Sequence, residues 1–437
     1  MNVKNVIIIT FIFLILISSF SFSDTEPESY DIDVEDIESE AAILIDANTG
    51  QILFEKKTHE QLYPASTTKL LTALIIAENV NLNQEIIIDK LSPFTTGSRI
   101  YVHEGEIFTV EQLLNALLIE SANDVANALA IYYSGSIEEF AKVMNEKAVS
   151  LGTLNSNFVN PNGLNDKEHY TTAYDLSLIA YAAYHNEIIK PIVSKYTYSI
   201  PPTNKVDETR YLKSSNKFLY SKSNNYLLDY RGKKIFAKYD SINGMKTGYT
   251  DDAKNCLVSS AKLDGRELIA VVLKSTGRNI YTDSRKLIDY GFNEFIEKEF
   301  FKKSEKIKDL QLNNFKKSKI DVLTNDNIKV LLKKDYQQSK ISTETIISKL
   351  ELPLKKNEVI GTFKITYNDK TISTFDLISN IAVDNTVLLS DETIFIEKNK
   401  KFNYINVLSI FLKLIISFLI WRTIITIIRL KLKKKFS

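Results

Sequence analysis

The chain has 437 residues, 44% of them hydrophobic, and its 55 basic residues are balanced by 54 acidic ones. This length supports about two or three domains with cores of their own. The balanced charge argues against a nucleic-acid partner, because no excess of cations is present to neutralise phosphates. A single cysteine, Cys256, excludes an intrachain disulfide, and the four histidines are not spaced as metal ligands. We therefore expect no metal and no cofactor.

Residues 1–23 have the pattern of an export signal. Lys4 precedes an apolar run at 6–17 and small residues close the segment, so we expect a mature chain that begins near Asp24. An uncleaved anchor is the alternative, and in both cases the following residues lie on the outer side of a membrane. Residues 24–40 carry acidic side chains and no basic ones, which predicts a solvated linker.

The pattern of residues 41–292 predicts one α+β domain, with an antiparallel sheet flanked by helices. Strands are predicted at 41–46, 51–55, 240–247, 256–262 and 267–273, and helices at 70–77, 109–118, 125–132 and 279–290, with a further helix ending at 183. The helix at 279–290 is expected to end at Gly291. The stretch 190–238 is polar and Tyr-rich and receives no assignment.

Ser66 and Lys69 lie in the segment 64–69, directly before the apolar helix predicted at 70–77. Their spacing puts both side chains on one face of the helix start. A lysine amine can take the proton of a serine hydroxyl once burial or neighbouring cations lower its pKa. The helix N-terminus adds backbone N–H groups and a positive dipole end. Alone, the pattern is common, and a helix start with an exposed lysine is the alternative.

Two later motifs extend this pattern. Ser121-Ala122-Asn123 follows a helical run at 110–120, and Lys246-Thr247-Gly248 follows an extended segment. The ordered trio of S-x-x-K, S-x-N and K-T-G is typical of β-lactamases and penicillin-binding proteins. Taken alone, Ser121 and Asn123 could serve as helix caps. The three motifs in order favour a nucleophilic serine enzyme.

Beyond the main domain, lysine becomes frequent and the residue pattern alternates. Phe363, Ile365 and Tyr367 alternate with polar residues and are followed by a turn, which is typical of strands. We predict a small β-rich domain at 302–389, in which we find no catalytic constellation.

The tail contains a largely apolar segment, 405–428, which as a helix can cross a bilayer of about 30 Å. Lys413 and Arg422 interrupt it, and each could extend toward its nearer surface. The basic tail 429–437 would then lie in the cytoplasm. An interfacial helix is the alternative, although the polar positions do not share one face. We expect a cell-membrane protein with its main domain on the extracytoplasmic side.

From about residue 40 to 292 the sequence resembles the D-alanyl-D-alanine carboxypeptidases, the low-molecular-mass penicillin-binding proteins of bacterial wall metabolism. The segments that carry the resemblance are 64–69, 121–123, 160–164, 169–176 and 244–250. It implies a β-lactamase/transpeptidase-like fold, followed by the β-rich domain and a membrane-binding tail. One departure is Asn162, where many relatives carry histidine.

The resemblance also implies catalytic roles. Ser66 attacks the carbonyl between two D-alanines of a peptidoglycan stem peptide, and Lys69 acts as the base. Ser121 relays a proton to the leaving D-alanine. The backbone N–H groups of Ser66 and Tyr249 hold the oxyanion, a contribution worth about 3–4 kcal/mol in known enzymes. Water then releases the acyl-enzyme, and a penicillin would acylate Ser66 as a slow-leaving substrate.

The substrate-binding residues implied by the resemblance are Asn123, Lys246, Thr247, Gly248, Tyr249 and Arg278. Asn123 holds Lys69 and the substrate amide, Lys246 provides positive potential, and Thr247 binds the terminal carboxylate. Arg278 could assist with that carboxylate or form an exposed salt bridge. The expected partners are pentapeptide stems of peptidoglycan, β-lactam inhibitors and the membrane.

Two other functions remain open at this point. A class A-like β-lactamase would share the fold and the nucleophile. The segment 111–115 has the look of that class's deacylation motif, but it precedes Ser121 instead of following it, which favours an ordinary helix start. A catalytically inactive wall-binding protein is the other alternative, although binding alone does not require a nucleophile with its base one turn away.

Overall fold

The computed structural model describes residues 29–311, 319–348 and 353–383. They divide into two compact units: the first runs up to Lys298 and includes Leu331–Lys334, and the second comprises Glu299–Val330 and the residues from Asp335 onward. The predicted export signal, the apolar segment 405–428 and the basic tail all lie outside the described residues. Among the helices that are described, none has the length and apolar character needed to span a bilayer.

The first unit contains eleven strands and seven helices within its described residues. The strands are β1 (Ala41–Asp46), β2 (Ile52–Lys56), β3 (Glu85–Ile87), β4 (Ile107–Thr109), β5 (Thr197–Ile200), β6 (Arg210–Lys213), β7 (Leu227–Tyr230), β8 (Lys233–Phe236), β9 (Ile242–Thr250), β10 (Lys254–Leu263) and β11 (Arg266–Ser275). The helices are α1 (Lys69–Asn79), α2 (Val110–Asn115), α3 (Asn123–Ser134), α4 (Ile137–Ser150), α5 (Ala173–His185), α6 (Ile189–Val193) and α7 (Asn279–Glu294).

The main sheet is antiparallel, with strand order β2-β1-β11-β10-β9. Helices cover both of its faces, which explains why every residue of β1 is buried. Ile43 and Ile45 belong to a core with helices α1 to α5, whereas Leu44 belongs to a second core with α7. A strand covered on both sides needs apolar residues at successive positions, since neighbouring side chains point to opposite faces. The predicted α+β architecture is confirmed.

Gly291 corrects one detail of the prediction. It does not end the last helix, because α7 continues to Glu294. A Cβ atom at Gly291 would lie 2.7 Å from Leu268 Cδ1 and 2.9 Å from Leu44 Cδ2. The glycine therefore lets α7 pack closely against β1 and β11, instead of capping the helix.

Helix α4 and the stretch 190–238 were not predicted. The stretch forms α6, the antiparallel hairpins β5–β6 and β7–β8, and short 3-10 turns. Helix α4 has a recognisable start, because the Ser136 hydroxyl accepts a hydrogen bond from the Glu139 N–H. Serine at this position is a strong N-cap signal.

The second unit is built mainly from strands. Across the boundary and within this unit lie β12 (Phe295–Phe301), β13 (Lys306–Gln311), β14 (Lys319–Thr324), β15 (Ile328–Lys333), β16 (Ile341–Ile347), β17 (Val359–Tyr367) and β18 (Lys370–Ser379). Five of them form an antiparallel sheet of order β13-β14-β18-β17-β16. Phe363 and Ile365 on β17 are buried, as the alternating pattern predicts.

Candidate active site

Ser66 lies in a 3-10 turn, Ala65–Thr68, that continues directly into α1. Its side chain is half-buried, whereas Lys69, the first residue of α1, is completely buried. The atoms Lys69 Nζ and Ser66 Oγ are 2.8 Å apart. The alternative of an exposed lysine at a helix start is therefore wrong.

Lys69 Nζ has two further close neighbours, and both can only accept hydrogen bonds. They are Asn123 Oδ1 at 2.7 Å and the main-chain oxygen of Asn162 at 2.6 Å. Burial, together with the positive charge of Lys246, holds the pKa of the Lys69 amine well below 10.5, although the Asp124 carboxylate acts in the opposite direction. A neutral amine has two hydrogens and one lone pair. In this neutral form the two hydrogens can bond to the two acceptors, which leaves the lone pair for the Ser66 hydroxyl.

Asn123 links this pair to the loop before α2. Its Nδ2 donates to Thr96 O at 2.7 Å, and its backbone N–H donates to Ser98 O at 2.7 Å. A Cβ atom at Gly97 would lie 2.6 Å from Asn123 Nδ2, so the loop passes close above the side chain. These contacts fix the amide plane and leave Oδ1 to Lys69.

Ser121 is held in an unusual backbone conformation. The residues Ala116–Glu120 form a π-helical turn after α2, and Ser121 follows with a φ of 68°. A non-glycine residue in this region costs about 1–2 kcal/mol, and such strain is often found at functional sites. Helix α3 has Ala122 as its N-cap, with no side-chain cap. Ser121 and Asn123 are thus not caps, and their side chains contact the two lysines instead.

Lys246 forms the second lysine–serine pair. It is buried, and its Nζ donates to Ser121 Oγ at 2.8 Å and to Thr247 O at 2.9 Å. Burial lowers the pKa of Lys246 to about 7, against the opposing effect of the Glu120 carboxylate. A proton at Lys246 is therefore held weakly enough to be exchanged near neutral pH.

Two glycines bring the three motifs together. A Cβ atom at Gly248 on β9 would lie 2.8 Å from the backbone nitrogen of Ser66, and one at Gly163 would lie 1.9 Å from Ala65 O. Both positions require glycine because the backbones nearly touch. The end of β9 and the turn at 160–164 thus meet the start of α1, as the predicted site requires.

Profile matches agree with this geometry. A family profile described as D-alanyl-D-alanine carboxypeptidase matches residues 26–277. The chain belongs to this family. A second profile, described as penicillin-binding protein 5, C-terminal domain, matches residues 295–385. The family predicted by the resemblance is confirmed.

Individual relatives extend the match over both units. The chain is 30% identical to D-alanyl-D-alanine carboxypeptidase DacF of Bacillus subtilis, over 77% of this chain and 83% of the relative. It is 28% identical to D-alanyl-D-alanine carboxypeptidase DacC of Escherichia coli, over 78% of this chain and 83% of the relative. The crystal structure of penicillin-binding protein 5 from Haemophilus influenzae, at 24% identity, has a TM-score of 0.63 and covers 80% of this chain and 98% of its own. That likeness shows the fold.

Sequence reasoning missed Ser215 at this family member's site. Thr247 Oγ1 is hydrogen-bonded to the hydroxyl of Ser215, which is exposed and follows β6. Ser215 lies among polar residues without a motif of its own, so the sequence offered no signal. The main-chain oxygen of Asn162 was missed for a similar reason, since any residue could supply it.

Arg278 and Tyr249 are placed less centrally than the other predicted residues. Arg278 donates to the carbonyls of Leu227 and Asn225, at 2.9 Å each, and lies over the Tyr226 ring. Arg278 thus holds the segment before β7. These contacts, to two carbonyls and a ring, are neither the predicted carboxylate contact nor the alternative salt bridge. Tyr249 is 58% exposed.

His169 supports the Ser66 turn from below. Its Nδ1 accepts a hydrogen bond from the Val159 N–H at 3.1 Å, so Nε2 carries the proton and donates to Thr68 Oγ1 at 2.9 Å. Thr68 in turn donates to Ala65 O at 2.8 Å. Burial lowers the pKa of His169 to about 4, so the ring is neutral at physiological pH. This series of hydrogen bonds holds Ala65 and Thr68, which lie before and after Ser66 in the turn.

Proposed function

We propose that the protein is a serine D-alanyl-D-alanine carboxypeptidase that removes the terminal D-alanine from peptidoglycan stem peptides through an acyl-enzyme. Family membership and the names of its relatives support the activity. The observation that carries the mechanism is the Lys69 amine, which is buried with a lowered pKa and lies 2.8 Å from Ser66 Oγ. A neutral amine at this distance is suited to general-base catalysis.

In the acylation step, Ser66 Oγ attacks the carbonyl carbon and its proton passes to Lys69 Nζ. The oxyanion is held by backbone N–H groups, for which Ser66 and Tyr249 are the candidates. When the C–N bond breaks, the leaving amine needs a proton. Ser121 Oγ, hydrogen-bonded to Lys246 at 2.8 Å, is the candidate donor, and Lys246 can replace the proton because its pKa lies near 7.

Substrate orientation follows from the same residues. The terminal carboxylate binds at Thr247, whose hydroxyl adjoins Ser215, and Lys246 contributes positive potential there. The second half of the reaction is hydrolysis. Lys69 first loses the proton that it took from Ser66, and Lys246 regains a proton, both by exchange with solvent. Water then attacks the ester carbonyl and passes a proton to Lys69, which returns it to Ser66 Oγ as the ester C–O bond breaks. A β-lactam acylates Ser66 by the same route, with slow release.

Release of D-alanine from a pentapeptide ending in D-Ala-D-Ala tests this function. The full-length protein in detergent should release D-alanine, and the matched Ser66→Ala protein should not. A fluorescent penicillin distinguishes the alternatives. Hydrolysis faster than labelling would indicate a β-lactamase, and absence of Ser66-dependent labelling would indicate a binding module.

We also propose that the protein is exported and anchored in the cell membrane through residues 405–428, with its main domain outside. The support is the sequence pattern: an apolar N-terminal segment, and an apolar C-terminal segment followed by basic residues. Deletion of 405–437 should move the protein from the membrane fraction to the soluble extracytoplasmic fraction. Retention of the truncated protein in the membrane would contradict the anchor.

A further inference from the structure

The acylation and hydrolysis steps do not use Glu120, which ends the π-helical turn directly before Ser121. Its side chain is half-buried. Its carboxylate oxygen Oε2 accepts a hydrogen bond from the backbone N–H of Lys213, the last residue of β6, at 2.8 Å. The carboxylate therefore ties the π-helical turn to β6, next to the serine that contacts Lys246.

The bond to Lys213 completes a closed circle of contacts on the leaving-group side of the site. Two residues beyond Lys213, the hydroxyl of Ser215 is hydrogen-bonded to Thr247 Oγ1, and Thr247 adjoins Lys246 on β9. Lys246 Nζ in turn donates to Ser121 Oγ at 2.8 Å. The residue before Ser121 closes the circle, so its side chain holds the end of β6 in register with the serine–lysine pair.

Glu120 also acts on Lys246 through its charge. Burial lowers the pKa of Lys246 to about 7, and the Glu120 carboxylate opposes this effect by favouring the charged amine. The like charge of Lys246 lowers the pKa of Lys69, so we expect Lys69 to lose its proton first. The pair then carries its proton on Lys246.

Other titratable groups lie on or beside the elements that pack against β9 and the π-helical turn. They are Lys69 on α1, Asp124 on α3, Lys190 on α6, Lys195 after α6, Lys213 on β6 and Cys256 on β10. None of these groups has a marked effect on the pKa of Lys246. Glu120 is thus the carboxylate that favours a proton at this amine.

We propose that Glu120 is a positioning residue for the departure of D-alanine: its carboxylate holds the proton on Lys246, and its bond to β6 holds Ser215 at the site. This inference rests on the proposed function and deepens it. As the C–N bond breaks, its electron pair passes to the leaving nitrogen, which takes a proton from Ser121 Oγ. Ser121 regains a proton from the Lys246 ammonium, which becomes neutral and later takes a proton from solvent.

Two substrates that differ only in the leaving atom test this role. One is a pentapeptide ending in D-Ala-D-Ala, and the other is its ester, in which oxygen replaces the scissile nitrogen. An amide nitrogen must be protonated to leave, whereas an ester oxygen can leave as an alkoxide, so the ester depends much less on Lys246. With the full-length wild type, kcat/KM for the amide should decline above about pH 7, and kcat/KM for the ester should not show this decline.

Glu120→Gln keeps an oxygen that can accept from the Lys213 N–H and removes the charge. The basic limb of the amide profile should move down by about half a pH unit, as expected for a partly exposed charge, which is about a threefold loss of kcat/KM near pH 8. The ester profile should stay as in wild type, which also shows that the variant is folded. The acidic limb should not move, because the charges that act on Lys69 are those of Lys246 and Asp124.

Three further variants separate the charge from the hydrogen bond. Glu120→Asp keeps the charge and should keep the wild-type basic limb. Glu120→Ala removes both, so it should shift the limb and also raise KM for both substrates about two- to tenfold, because Ser215 is no longer held beside Thr247. Glu111→Gln, at an exposed position on α2, is the matched control and should leave both profiles unchanged.

The outcomes separate this inference from the proposed function. A wild type that cleaves neither substrate would contradict the function itself. If wild type cleaves both and Glu120→Gln keeps the wild-type amide profile, the function stands and the inference is wrong. An equal loss for amide and ester in Glu120→Gln would overturn it as well, because a merely structural residue would give that result.

Discussion

Replacing Asn123 by aspartate places a negative charge beside the Lys69 amine, which serves as the base. Asn123 Oδ1 lies 2.7 Å from Lys69 Nζ, and aspartate has nearly the same shape. The carboxylate favours the protonated form of Lys69 and so raises its pKa, which burial and Lys246 hold low in the wild type. A protonated amine has no lone pair for the Ser66 hydroxyl, so acylation should slow.

The magnitude follows from the distance. An opposite charge within about 4 Å raises an amine pKa by about 1–3 units, and each unit reduces the neutral fraction tenfold below the pKa. The second-order rate of acylation near neutral pH should therefore fall by about 10- to 1000-fold. The acylation rate falls because a smaller fraction of Lys69 is neutral. Raising the pH should therefore restore the acylation rate progressively.

The assay measures the rate at which a fluorescent penicillin labels Ser66 between pH 6 and pH 10. The rate is measured at about four pH values per pH unit. Asn127→Asp is the matched control: Asn127 lies one turn later on α3 and hydrogen-bonds Asn162 and Thr95 instead of Lys69. Its pH profile should stay close to wild type. An Asn123→Asp profile identical to wild type, or a loss that does not recover at high pH, would refute the assignment of Lys69 as a neutral base.

Three further predictions concern the supporting structure. Gly163→Ala should abolish penicillin labelling, because its Cβ would lie 1.9 Å from Ala65 O; normal labelling would show that the turn can shift. Gly291→Ala should lower the free energy of unfolding by about 1–3 kcal/mol, because the added Cβ would meet Leu268. At an unhindered helix position the same change would raise it, and denaturant titration distinguishes the two results. His169 is buried with its pKa lowered to about 4. The wild type should therefore lose about 3 kcal/mol as the pH falls from 6.5 to 4, a loss that His169→Gln should not show in pH-dependent denaturation.

Much of the site could be predicted from sequence because its chemistry depends on local spacing. The spacing of Ser66 and Lys69 on one helical turn is a local property, and the S-x-N and K-T-G motifs identify their residues by type. The hairpin of β10 and β11 was equally accessible, since an Asp-Gly turn joins two apolar runs. These parts needed no knowledge of distant contacts.

The remaining features depend on residues that meet only in the folded chain. The left-handed backbone of Ser121 follows a π-helical turn that no local pattern indicates. Gly291 looks like a helix stop, but the close approach of Leu268 and Leu44 gives it a packing role. Ser215 joins the site through tertiary contact with Thr247. Helix α4 is different, because Ser136 and the acidic first turn after it were a usable signal.

The central claim is that Lys69 is neutral in the resting protein and accepts the Ser66 proton. An NMR titration of the Lys69 side-chain amine, assigned by comparison with a Lys69→Met variant, measures this directly. We expect a pKa well below 10.5, with Lys69 uncharged over the pH range in which penicillin acylates Ser66. A pKa near 10.5, with rapid acylation at neutral pH, would contradict the account.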